Sequence, residues 1–163
     1  VSIISNQAAA LAAIVGAVTN VGVVLDHQPY PMKDWAGFVK TLTADIAPIG
    51  PHVRAWTVQF IAEERKPRNI AAMSTKVMRE STWLVRGHLT INEGTTDVIF
   101  RDLIEAVMDA IDAKRSLSGT MQDHDPCDVT LPADGAPVAL GDMVVHYCEI
   151  RFTGWIEVTI QAT

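Results

Sequence analysis

The segment Trp83-Leu84-Val85-Arg86-Gly87-His88-Leu89-Thr90-Ile91 places Trp83, Val85, Leu89 and Ile91 on one side of an extended strand, because successive side chains point to opposite faces. Gly87 falls in the middle of that apolar face. Asn92-Glu93-Gly94 then reads as a turn. From Thr95 the period changes: Ile99, Leu103, Ala106, Val107, Ala110 and Ile111 recur at three- and four-residue spacing, the stripe of an amphipathic helix. Strand, turn and helix form one packed unit, with Thr95 or Thr96 as its expected helix cap. No catalytic constellation is visible in it.

Upstream, residues 53–61 alternate, with Val53, Ala55, Thr57, Gln59 and Ile61 on one face and Arg54, Trp56, Val58 and Phe60 on the other. This is a second strand. Joined to the first without a helix, it is expected to be its antiparallel neighbour. Between them, Glu63 to Glu80 lose the apolar pattern, contain Pro67, and carry Arg65, Lys66, Arg68, Lys76 and Arg79. That composition predicts a long β-hairpin arm or loop. A connection of this length in a compact domain is usually functional or mobile.

Earlier still, Ser5 or Asn6 is the expected cap of a helix with Leu11, Ile14, Val15 and Val18 as its core stripe. Val21 to Leu25 reads as a short strand, and Pro31 starts a second helix carrying Trp35, Phe38, Val39 and Leu42. Pro48, Gly50 and Pro51 mark its exit. After the long helix, residues 120–142 predict a meandering stretch with one short strand near Val129 to Leu131. Met143 to Ile160 is the longest strand-like tract, with a bulge or bend expected at Gly154. The element order predicts a single α+β domain: a mixed, mainly antiparallel sheet packed by about three helices, with a long hairpin arm.

At 163 residues the chain is long enough to bury a core without disulfide or metal support. Nineteen acidic against thirteen basic residues give a net charge of -6, which argues against a surface built to neutralise nucleic-acid phosphates. The two cysteines, Cys127 and Cys148, are expected to be reduced thiols in a cytoplasmic setting. The apolar run Ala8 to Val18 is shorter than the roughly 20 residues that cross a bilayer, and no Lys or Arg precedes Lys33. Neither a membrane span nor a leader is expected.

Asp123-His124-Asp125-Pro126-Cys127-Asp128 is the one cluster with metal-ligand chemistry, and His146 and Cys148 could join it. Its spacing matches no zinc knuckle, and His146 and Cys148 sit on an alternating apolar face, where core side chains are the ordinary occupants. The expectation is therefore no metal, no cofactor and no enzyme. The reading from another class is a small metal-dependent hydrolase using His124, Asp125, Cys127 and His146. Gly94-Thr95-Thr96-Asp97 could bind an anion at a helix start, although capping by Thr95 or Thr96 is the better account. Each of the four tryptophans is spaced as a packing residue would be.

Arg54-Ala55-Trp56-Thr57-Val58, the basic arm, Trp83-Leu84-Val85-Arg86-Gly87-His88-Leu89 and the helix from Thr96 to Ala113 together resemble the tail terminator (tail completion) proteins of long-tailed bacteriophages and related phage-derived particles. Leu117-Ser118-Gly119 and Val144-Val145-His146-Tyr147-Cys148-Glu149-Ile150-Arg151-Phe152 continue the likeness, which covers roughly residues 8–160. The resemblance implies one terminator-like domain over 1–163 that forms a homo-hexameric ring in the virion. Such a ring caps the tail tube protein, stops its growth and meets the head-tail connector (stopper) protein. DNA passes through its channel without specific binding, and no membrane is involved. Arg65, Lys66, Arg68, Lys76 and Arg79 are the expected ring or junction contacts. A head-completion or connector adaptor of the same neck is the nearer alternative.

Overall fold

Three long strands carry the fold: β3 (Gly50–Ala71), β4 (Ser74–Thr90) and β8 (Met143–Gln161). The computed structural model of the chain describes residues 2–27, 29, 35–47, 49–71, 74–92 and 95–161. Around the three strands lie α1 (Ile3–Gly16), β1 (Val23–Leu25), α2 (Trp35–Thr41), β2 (Thr43–Ile46), α3 (Thr96–Asp112), β5 (Asp123–His124), β6 (Asp128–Thr130) and β7 (Val138–Leu140). The sheet runs β1-β3-β4-β8-β5, with β2 on β3 and with β6 and β7 on β8. Among the described strands only β1 is parallel to its neighbour. This is the expected α+β domain with a mainly antiparallel mixed sheet and a long hairpin arm.

Register decides which residues meet. Trp56 pairs with Gly87 and Gly87 with Cys148, while Val58, Val85 and Ile150 form the next row and Phe60, Trp83 and Phe152 the one beyond. These rows face α1 and α3. Leu11, Ile14 and Val15 from α1 and Phe100, Leu103, Ile104, Val107 and Ile111 from α3 close over them as the main core. The opposite face has a smaller core, where Leu42, Val53 and Ala55 pack with Phe38 and Val39 of α2. The sheet is thus covered on both faces at one end only.

Gly87 has a steric reason. A Cβ there would lie 2.7 Å from the Trp56 ring and 2.9 Å from Cys148 Sγ, inside van der Waals contact. Its absence lets the indole lie flat on the sheet, where Phe100 of α3 stacks on it with ring centroids 6.3 Å apart. Gly154 works the same way. Its missing Cβ leaves room for Met121 and His124, and β8 continues through it with no register shift, so the bulge expected there is not formed.

The bulges lie instead in β3, between Phe60 and Ala62 and between Pro67 and Asn69. Other expectations also shift. Ser2, not Ser5 or Asn6, caps α1: its hydroxyl accepts from the Ser5 amide at 3.0 Å. Thr95 makes no capping bond, whereas the Thr96 hydroxyl donates to the Asn92 carbonyl and accepts from the Asn92 amide. Gly94 lies outside the described residues. Ile91 falls past the end of β4 and is exposed. β2 was not expected between α2 and the turn, and the stretch 120–142 holds β5, β6 and β7 rather than one strand.

Gly87→Ala is predicted to destabilise the protein by about 1–3 kcal/mol, since neither a packed indole nor a buried thiol can retreat. Gly16→Ala, whose new methyl comes no nearer than 4.0 Å to Val24, is predicted to be neutral or stabilising. Urea unfolding of the two variants checks both signs.

Candidate functional site

Beyond the row Phe60–Trp83–Phe152 the sheet leaves its helices, and β3, β4 and β8 continue together as an arm. Pairing runs without a gap in β4–β8 from Thr90↔Val145 to Ser74↔Gln161. The expected two-stranded hairpin is therefore three strands wide. Residues 62–71 extend it by roughly 30 Å at the usual rise per residue.

All five cations singled out in the sequence lie on this arm, and the register sorts most of them into cross-strand pairs. Glu63, with its side chain only 11% exposed, accepts from Arg79 at 2.5 and 3.0 Å and from Arg65 at 2.7 Å. Burial raises the Glu63 carboxyl pKa, but these hydrogen bonds outweigh burial and hold it below the ordinary carboxylate value. Lys66 reaches Glu80 at 2.7 Å and Glu64 at 3.4 Å, and Lys76 reaches Glu157 on β8 at 3.0 Å. The arm is consequently less positive than its sequence suggests. Its exposed pairs contribute little to stability, since solvent screens them. Arg68 differs: it sits at a bulge, touches the Met78 sulfur at 3.3 Å, and has no carboxylate partner among the described residues.

Among the described residues the outer edge of β3 along the arm is unpaired, because β1 stops opposite Thr57 and β2 opposite Val53. Pro67, the bulge beside it and the flanking charges are devices that keep an edge strand from uncontrolled pairing. A long edge protected in this way is suited to selective contact.

The metal-ligand candidates are not brought together. His124 is fully buried and opposite Gly154, whereas His146 is opposite Leu89, eight residues away along β8 or about 26 Å. His124 Nδ1 lies 2.6 Å from the Asp125 carbonyl oxygen and Nε2 lies 3.2 Å from that of Ile111, so a backbone carbonyl faces each nitrogen. The Cys127 amide donates to the Asp112 carboxylate, and burial and that carboxylate push the Cys127 thiol well above its ordinary range. Burial pushes Cys148 up to about 12. His146 meets the Thr96 hydroxyl at 3.2 Å and stacks on Phe100. Both cysteines are free and buried. The four residues of the hydrolase reading share no site, and among the described residues no three His, Cys, Asp or Glu side chains could hold one ion.

Two arrangements were not visible in the sequence. A cleft of about 460 Å³ beside the N-terminus of α1 brings Ser5, Asp26 and His27 over Phe60 and Trp83. His27 Nδ1 is 2.8 Å from Asp26, but the Ser5 hydroxyl bonds to Ser2 and not to the imidazole, so no nucleophile is activated. The second is a polar row on the sheet face opposite α1 and α3. Arg86 donates to Glu149 at 3.1 Å and to Gln59 at 2.6 Å, and the Tyr147 hydroxyl donates to the same Glu149 oxygen at 2.6 Å. The hydrogen bond from Tyr147 and then Arg86 hold Glu149 below its usual range despite partial burial. His88 lies beside Tyr147, with ring centroids 5.1 Å apart and a buried Nδ1 lacking a hydrogen-bond partner. The row ties three strands together.

A scan against protein-family models finds no match for this chain, and a search of curated proteins finds none. Among the described residues no helix is long and apolar enough to cross a membrane.

Burial, and then the Arg86 charge, lower the His88 pKa from 6.5 to about 4. The folded state therefore favours the neutral ring, and stability is lost as pH falls from about 6.5 towards 4. The loss attributable to His88 between pH 7 and 4.5 is predicted to be on the order of 2 kcal/mol. Glu149 acts separately, through its own lower folded pKa. Urea midpoints at the two pH values should differ less in His88→Gln than in the native chain. An unchanged difference would show that His88 is not responsible.

Proposed function

We propose that this protein is a structural ring subunit of the tail terminator kind, closing the end of a phage-type tail tube and presenting a surface to the head-side connector. The observation that carries the reading is the three-stranded arm. It continues the central sheet, in one register, beyond its helical cover, carries its own charge pairs and a protected β3 edge, and holds one guanidinium, that of Arg68, without a carboxylate partner among the described residues. A structure of this kind is suited to reaching another chain. A small α+β domain is also what the sequence resemblance implies.

Charge supports the same reading. A subunit with net charge -6 lines a channel that repels passing DNA rather than holding it. In a closed ring each copy uses two different patches, and the arm supplies one of them. Tail tube protein, the connector protein and five further copies are the partners on this reading, and no cofactor is required.

Native mass spectrometry and negative-stain imaging of the chain mixed with tail tube protein are predicted to show hexameric rings seated on tube ends. Arg68→Glu should reduce ring formation at least tenfold while leaving the unfolding midpoint essentially unchanged, because the side chain is exposed and without an ionic partner. Monomers alone for the native chain, under every such mixture, would contradict the proposal.

A further inference from the structure

The outer side of α3 and the strand β6 enclose a groove of about 310 Å³. Ile104 and Met108, one turn apart on the helix, form one wall. Val129 and Leu131, two positions apart on an extended segment and 41% and 46% exposed, form the other. Paired aliphatic side chains left open at a sheet edge mark a contact surface. Among the described strands β6 pairs with β8 alone, so its outer edge is open as well.

The lip of the groove is acidic. Glu105 and Asp109 stand on it without an ion-pair partner among the described residues, and the lip's cation, Arg101, is bound to Asp97 of its own helix. The occupant this chemistry fits is apolar with positive charge around it. The arm has that composition: Ile61 and Ile160 are 41% and 48% exposed, and its five cations outnumber Glu63, Glu64, Glu80 and Glu157. Arg68 has no carboxylate of its own, and the Arg65 and Lys66 pairs are exposed enough to exchange partners. The position fits too. Among the described strands the arm is open along β3 on one side, while the groove lies beyond β8 at the other edge of the sheet. A contact between unlike patches at opposite edges repeats head to tail.

We propose that the groove between α3 and β6 receives the arm of a second copy of this chain, with an exposed aliphatic side chain of the arm entering between the two walls and its cations meeting Glu105 and Asp109. The choice of a second copy rests on the ring reading above; the groove and its charge do not. The test places the photo-reactive residue benzoylphenylalanine at Leu131 in the full chain. Isotopically labelled and unlabelled copies are mixed, assembled with tail tube protein and irradiated. Peptide mapping should show cross-links from position 131 to residues 61–80 or 153–161 of the other copy, and Glu105→Lys with Asp109→Lys should weaken assembly at least tenfold in a chain whose circular dichroism is unchanged. Rings that form but cross-link elsewhere, or that tolerate the double charge reversal, would overturn the groove assignment alone. A chain that stays monomeric in every mixture would overturn the groove assignment and the ring reading together.

Discussion

The contact of the Trp56 indole with the bare backbone of Gly87 sets the geometry on which the rest of the structure depends. With no Cβ at Gly87, the ring lies low over the middle strand and gives Phe100 a flat surface to stack on. That stack fixes how closely α3 approaches the sheet. Val107 and Ile111 are then brought down onto the same core as Leu11 and Val15 of α1, and all four are fully buried. Both large indoles of the core, Trp56 and Trp83, are sealed there, each contributing on the order of 2 kcal/mol from burial.

The same register that seats Trp56 against Gly87 continues outward into the arm. Pairing in β4–β8 carries no bulge from one end to the other, so the arm inherits its direction from the core rather than from local turn chemistry. The two bulges in β3 are confined to the outer strand, where they bend the edge without disturbing the β4–β8 ladder. Helical cover ends where the arm's own charge pairs begin, and the chain changes there from a packed domain to a projecting surface. In the proposed ring the core sets the angle of the arm, and the arm carries the contact.

Where periodicity was long, the sequence was legible. β4, α3 and β8 each span enough residues for alternation or a 3.6-residue stripe to show, and Leu103, Val107 and Ile111 lie where the helical period puts them. β2, β5, β6 and β7 are two to four residues long, too short for a period to appear, and exist because β3 or β8 offers an edge to pair with. The arm's cations were legible as residues but not as a surface. Glu63 and Arg79 are 16 positions apart and meet only through the register of β3 on β4. Gly154 was misread because a glycine in a strand signals either a bulge or a close approach, and only the loop holding Met121 and His124 shows which. The groove between α3 and β6 could not be read at all, since it needs both a helix face and a strand formed by pairing.

The central claim concerns place: the protein sits where a tail tube ends and a head begins. Electron microscopy of particles assembled with a chain bearing a small density label at an exposed loop, such as Gly119, tests it most directly. The account predicts a single ring of label at the head-proximal end of the tail. Label spread along the tube, label at the far end, or particles without label would contradict it.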